Sequence, residues 1–453
     1  WASILLRRAL LSRAAAPPRV HPVDWVAHRA DLLLRMGEAD GARLLVQSID
    51  QPFYTPRLIE VAARTALATA DPAALCPLVE PAGASGTVWT LADAMCAALE
   101  GEAARASALV DDARREGDIR GIDLALAERV IGAGAEARRS ATLDWEPVVT
   151  LNAWRVGLAS ATGAPIPDRL LDASAPAMRA WRARAPMVPL EQRLGAASVA
   201  ASLGVFSSRS LVEIYSLMLD RTDPAEAAGT VGARLRTAWA GTDTGEKMEA
   251  MRSLWQEADG PHEQHARLIL TARAAARIQP SAEHGADTAR LIASMLTAGL
   301  DRAAARWSAV VEESGDSQAW ALLAVGAPDG SVEVGTGSIE TFIEADEADR
   351  RRAQMLVAAL AGLGRLNEGD ASRLASNLGL ALGGTGGRWA QSLDRAARNR
   401  ETGTVALLAA VGMQTAGWHG VPPDHLFRIV RALRTAGLEY EARMIAAEAI
   451  ARS

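Results

Sequence analysis

One short phrase constrains this chain more than any other. An apolar stripe ends, a Gly follows, and five residues later an Ala opens the next stripe. This occurs at Gly37 and Ala42, Gly101 and Ala106, Gly299 and Ala304, and Gly437 and Ala442. Gly suits the left-handed position that closes a helix. The small Ala lets two antiparallel helices approach closely in the turn. The first two copies lie 64 residues apart and the last two 138 apart, near two and four times a repeat of about 32–34 residues. A chain punctuated in this way is expected to fold as helical hairpins.

Composition points the same way. Hydrophobic residues make up 49% of the chain and aromatic residues only 4%, so the apolar fraction is mainly Ala, Leu and Val. Ala and Leu are the best helix formers, and the residues that strands favour are scarce. Between the turns, apolar residues recur with the helical period. Trp25, Leu32, Leu33 and Met36 share a face, as do Leu58, Val61, Ala62 and Thr65. Near the end, Leu426, Ile429, Val430 and Leu433 form one stripe, and Ala442, Met444, Ile445 and Ala449 line its partner. Helix starts are marked at Asp71-Pro72, Ser174-Ala175-Pro176, Asp223-Pro224, Gln279-Pro280-Ser281 and Pro422-Pro423-Asp424. Roughly 18–22 helices are expected. The expected fold class is all-α, a right-handed superhelical solenoid of antiparallel helical hairpins.

Three stretches break the pattern. Residues 14–23, with Pro17, Pro18 and Pro22, read as a linker. Residues 135–147 are polar and end at Trp145-Glu146-Pro147. Residues 327–338 alternate as a strand does and are expected to form an exposed loop or a single short hairpin. The breaks suggest an N-terminal hairpin array over residues 1–134, a central helical section over 135–260 and a C-terminal array over 261–453, or one continuous superhelix.

The turn phrases resemble the tetratricopeptide-type (TPR) hairpin, in which such a Gly and Ala sit around the inter-helix turn. The large and small residues of that family's full signature are not met throughout, so the resemblance is TPR-like. It implies a solenoid with an extended concave face suited to binding another protein. The phrases Ala74-Leu75-Cys76-Pro77-Leu78, Ala94-Met95-Cys96-Ala97-Ala98-Leu99-Glu100-Gly101-Glu102 and Leu433-Arg434-Thr435-Ala436-Gly437-Leu438-Glu439 resemble a group of exported bacterial Ala-rich helical proteins. Some of these carry the automatic name "antifreeze" protein. That resemblance implies export and no particular chemistry.

Several function classes are disfavoured. The net charge is −6 and the pI about 5.8, without the basic footprint of a general nucleic-acid binder. Among 48 Lys and Arg residues the only Lys is Lys247. The Arg are spread along the chain, which reads as genome composition bias rather than as an anion site. No apolar run reaches the roughly 18–20 residues that cross a bilayer; residues 355–363 and 405–413 are the longest. The chain starts at Trp1, which reads as a fragment or a processed form. Arg7 and Arg8 make residues 1–11 a helix end rather than a signal peptide.

Cys76 and Cys96 fall on consecutive helices, which are antiparallel neighbours in a hairpin stack, so the two thiols could face each other. A disulfide closing a loop of about 20 residues stabilises by about 3 kcal/mol and persists in oxidising compartments. The alternative is two buried thiols acting as small hydrophobes. The disulfide is the favoured reading and places the protein in the periplasm or otherwise outside the cytoplasm.

No active site is legible. Lys247 follows Gly245-Glu246 and lacks the phosphate-loop frame, and there is no Gly-x-Ser-x-Gly elbow. The run from Gly383 to Gly387 lacks a preceding strand and reads as an inter-helix loop. His262 and His265 stand three apart on a helix, with His284 in a neighbouring turn; they read as solvated side chains rather than as a metal site. Glu340, Glu344, Asp346, Glu347 and Asp349, followed by Arg350-Arg351-Arg352, fit a solvated helix start. No metal and no cofactor is expected. Trp25, Trp89, Trp154, Trp255, Trp307, Trp320, Trp389 and Trp418 are expected mainly in the inter-repeat core. Trp181 and Trp239 lie among Arg and small residues and are the candidate partner-binding residues, since exposed Trp with Arg is the composition of interface hot spots.

The expected function is a non-catalytic scaffold of the bacterial cell envelope that binds another protein. The alternative is a superhelical accessory domain of a larger cell-wall enzyme, with its catalytic module outside this chain. Ice binding would need a flat, regularly spaced Thr or Ala face, and the sequence has none.

Overall fold

The four turn phrases adopt one backbone solution. The computed structural model describes residues 1–83, 86–117, 119–134, 142–345, 350–384, 386–415 and 417–453. In it Gly37, Gly101, Gly299 and Gly437 have φ of 88°, 85°, 73° and 87°. The residue after each Gly reaches back five positions: Glu38 N–H donates to the Leu33 carbonyl at 2.9 Å, Glu102 to Ala97 at 2.8 Å, Leu300 to Met295 at 2.9 Å and Leu438 to Leu433 at 2.8 Å. These bonds satisfy carbonyls that the helix end leaves open. Ala42, Ala106, Ala304 and Ala442 then donate the first bond of the next helix, each at 3.0 Å, and none is more than 1% exposed. Ala70 and Arg400 close helices in the same way with φ of 52° and 55°, so the turn also occurs without Gly.

The described residues hold 28 α-helices, 72% of the structure is helical, and no strand occurs among them. The number exceeds the roughly 18–22 helices expected from pattern. Six of them have seven residues or fewer: Cys76–Val79, Asp168–Asp172, Pro176–Trp181, Pro224–Ala227, Asp301–Ala305 and Ser308–Ser314. Such pieces are too short for an apolar period to register. The alternating stretch after Ala327 forms a loop up to residue 335, and the helix Thr336–Ala345 follows. Val332 is buried there, and Trp320 Nε1 donates to the Glu333 carbonyl at 3.1 Å. The alternation therefore reflects one loop anchored from within. Residues 135–141 and 346–349, including Asp346, Glu347 and Asp349 of the acidic cluster, lie outside the described residues.

Contacts divide the chain into two compact units, Leu10–Phe206 and Trp1–Ala9 with Ser207–Ser453. The sequence breaks after residues 134 and 260 each fall inside one of these units.

In the first unit, helices Pro22–Arg35 and Ala39–Val46 pair through the Gly37 turn, and Thr87–Leu99 and Ala103–Glu116 through the Gly101 turn. Pro56–Ala68 packs on Pro22–Arg35 on one side and on Ala153–Ala161 on the other. Leu91, Met95, Leu126 and Leu158 lie at the centre of its core, each fully buried.

In the second unit, Leu5 joins a continuous core with Met251, Met295, Trp307, Leu356 and Ile445. The C-terminal helix Glu439–Arg452 packs against Thr288–Thr297 and Ser317–Gly326, which are distant in sequence. Tyr440 Oη donates to the Gly299 carbonyl at 2.9 Å, and Arg443 Nη1 pairs with Asp301 at 2.9 Å. Two copies of the turn phrase, 138 residues apart, thus meet directly. In a simple solenoid each repeat touches only its neighbours.

Arginine caps many of the helix ends. Arg29 Nε donates to the Leu10 carbonyl at 2.6 Å, Arg306 Nη2 to Ala276 at 2.6 Å, Arg365 Nη2 to Ala327 at 2.7 Å and Arg443 Nη1 to Gly326 at 2.7 Å. Arg434 donates to the Leu363 carbonyl. Each acceptor sits at or just beyond a helix C-terminus, where carbonyls lack partners and the helix dipole favours a cation.

These turns make a quantitative expectation. A Cβ at Gly101 would meet no atom within 4 Å, so Gly101→Ala tests the left-handed backbone alone and should lower stability by about 1 kcal/mol. Ala106→Leu should cost about 1–3 kcal/mol by forcing Thr87–Leu99 and Ala103–Glu116 apart. Urea unfolding of both variants checks the order; equal losses would contradict it.

Candidate functional site

An open groove in the first unit is built on one face of a single helix. Thr55 caps Pro56–Ala68, its hydroxyl accepting from Leu58 N–H at 3.2 Å and donating to Asp24 at 2.7 Å. Leu58, Val61, Ala62 and Thr65 of this helix are buried. Its opposite face, Pro56, Ile59, Glu60, Ala63, Arg64 and Leu67, lines an open groove of about 840 Å³. The spacing of three and four residues is that of one helical stripe. This helix therefore carries apolar residues on two faces, one in the core and one, interrupted by Glu60 and Arg64, bordering the groove.

The groove has three further walls. Pro81 and Ala82 form one, Val88 and Trp89 of the helix Thr87–Leu99 a second, and Asp123, Asn152 and Trp154 a third, with Ile119 and Arg120 at the edge. Ile59 and Leu67 are buried at the floor, and Val88 and Arg120 are exposed at the mouth. Gly157 permits the third wall: a Cβ there would lie 2.6 Å from the Leu67 carbonyl oxygen, so only Gly lets Ala153–Ala161 cross so close to the floor helix. Asn152 caps that helix through Arg155 N–H at 2.9 Å.

The charges in the groove are mostly paired. Arg155 forms a two-pronged pair with Asp123 at 2.8 and 2.6 Å, and these bonds raise the Arg155 pKa. Trp154 Nε1 donates to the Asp123 carbonyl at 3.0 Å. Arg64 pairs with Asp31 at 2.6 Å and approaches Glu60 at 3.9 Å. Arg120 donates from Nε to the Gly117 carbonyl at 2.7 Å and has no carboxylate partner among the described residues.

The cysteines sit in the groove's frame. Cys76 and Cys96 are bonded, with Cα atoms 5.5 Å apart. Cys76 opens the short helix Cys76–Val79, which leads into Pro81 and Ala82; Cys96 lies on the helix that carries Val88 and Trp89. The bond thus joins two walls of one groove.

The other residues singled out in the sequence lie elsewhere. Trp181 is half-buried against the core of the first unit, with its Nε1 buried and unpartnered among the described residues. Trp239 is half-buried against the core of the second unit, under the guanidinium of Arg277 at 5.5 Å. They belong to different units and neither lines the groove. None of the twelve Trp is exposed. His262 and His265 share a helix, and His284 lies against Trp307 with ring centroids 6.0 Å apart. Among the described residues no group of His, Cys, Asp or Glu is placed to hold a metal.

His265 departs from the solvated side chain expected. It faces a small cavity lined by Trp1, Leu296, Glu448 and Arg452, and its Nδ1 is buried without a partner among the described residues. Burial pushes its pKa down to about 4, with Glu448 acting in the opposite direction. The sequence around His265 could not reveal this, because the cavity is closed by the helix Glu439–Arg452, far away in sequence.

Two expectations follow from these sites. Replacing both cysteines, Cys76→Ser with Cys96→Ser, should destabilise the first unit by about 3 kcal/mol through the freed 20-residue loop; denaturant unfolding with and without reductant checks it, and an unchanged midpoint would contradict it. The unfolded chain protonates His265 near the ordinary value of 6.5, and the folded protein only near 4. The unfolded state therefore binds the proton first as pH falls. Stability should be fullest above about pH 6.5 and decline by up to about 3 kcal/mol toward pH 4. His265→Gln should remove that part of the slope.

No protein-family model, no curated protein and no solved structure matches the chain.

Proposed function

We propose that this chain is a non-catalytic binding scaffold of an oxidising compartment such as the bacterial periplasm. In this reading TPR-like helical hairpins stack into a solenoid-like support, and a partner protein docks over the groove of the Leu10–Phe206 unit. The observation that carries the reading is the groove itself: an open cavity of about 840 Å³ lined mainly by apolar and aromatic side chains, with two walls joined by the Cys76–Cys96 disulfide. Cavities of about 300–1,000 Å³ lined mainly by apolar and aromatic side chains are the usual form of a binding site. The disulfide supports the oxidising compartment, and no described helix is long and apolar enough to cross a membrane.

Photo-crosslinking in whole cells tests the reading. A photoreactive residue at Val88, at the mouth of the groove, should give a discrete protein adduct. One at Val411, an exposed apolar position in the other unit, should not. Equal labelling at both positions, or none at Val88, would overturn it.

A further inference from the structure

The lining of the groove restricts what can reach its floor. Ile59, Ala63, Leu67, Trp89 and Trp154 present apolar surface, and most of the charged groups beside them are paired, although Arg64 Nε is buried without a partner among the described residues. Asp123 is held by Arg155, Arg64 by Asp31, and the Asn152 side-chain oxygen by a backbone N–H. An extended peptide laid along Ile59, Ala63 and Leu67 carries a donor and an acceptor at every residue and would leave most of them without partners there, and each unpaired group costs about 1–3 kcal/mol. A hydrocarbon chain has no such groups and gains from every apolar area it covers. At the mouth, Arg120 offers a guanidinium with no carboxylate among the described residues.

We propose that the floor of this groove binds a free, single-chain fatty carboxylate, with its tail along Ile59, Ala63 and Leu67 and its head on Arg120. The proposal rests on the reading of the groove as a binding face, and it names the chemistry of the occupant beneath the mouth. Glu60, exposed near Arg64, disfavours a second anionic group and fits a ligand with one charged end.

Equilibrium dialysis of the purified, oxidised chain against labelled decanoate, decanol and decylamine tests it. Decanoate is expected to bind saturably, one per chain, and more tightly than decylamine. Arg120→Gln should weaken decanoate about tenfold, the loss of one charge-assisted hydrogen bond, and leave decanol unchanged. Ala63→Trp should fill the floor and abolish both, with circular dichroism confirming native helix content. No saturable decanoate binding to the natively folded chain, binding indifferent to both substitutions, or tighter binding of decylamine would each overturn the proposal. Val88 adducts without decanoate binding would sink this inference and leave the scaffold reading standing. Decanoate binding without adducts would do the reverse.

Discussion

The structure depends on closing helix ends. A chain with 28 α-helices among its described residues leaves many C-terminal carbonyls without intrahelical partners, and burying them unpaired is costly. Two devices meet this need. A left-handed residue turns the chain so that the next N–H reaches back five positions, and long Arg side chains cross from neighbouring helices to the remaining carbonyls. The first device sets where hairpins turn. The second ties elements distant in sequence, as Arg365 does to the end of Ser317–Gly326 and Arg434 to the end of Arg350–Leu363. A guanidinium suits this role because its planar fork can address two carbonyls at once, which an ammonium on a flexible stem does less well.

The first device was legible in the sequence and the second was not. Gly37, Gly101, Gly299 and Gly437 announce their turns because a left-handed backbone leaves a local signature. Cys76 and Cys96 could be paired because the hairpin register places consecutive helices side by side. Arg caps leave no such mark, since donor and acceptor are tens of residues apart and any surface Arg looks the same. The abundance of Arg was visible, but its distribution read as composition. The groove was missed for a related reason. In Pro56–Ala68 the stripe through Leu58, Val61 and Thr65 accounted for a buried face, and the second stripe through Ile59, Ala63 and Leu67 was there to be read. Only packing distinguishes an apolar face closed by neighbouring helices from one that borders a cavity. Trp181 and Trp239, whose Arg-rich surroundings suggest partial exposure, pack half-buried against the two cores.

The groove links local sequence to the proposed role. Gly157 removes one methyl so that a helix can cross Leu67 closely, and Asn152 and Thr55 fix where the flanking helices begin. The disulfide holds the Pro81 wall to the Trp89 wall across a segment too short to build a stable helix alone. Apolar surface that folding leaves open in this way has a cost in solubility, which a ligand or partner would offset.

The account joins that groove to an oxidising compartment through one covalent bond, so the state of Cys76 and Cys96 in the cell is its most direct test. Thiol labelling of whole cells under denaturing quench, with and without prior reduction, reads that state. Labelling of both cysteines only after reduction is expected, and would fix the chain as an oxidised protein with its groove walls joined. Free thiols in both conditions would contradict the account, removing both the staple and the argument for export.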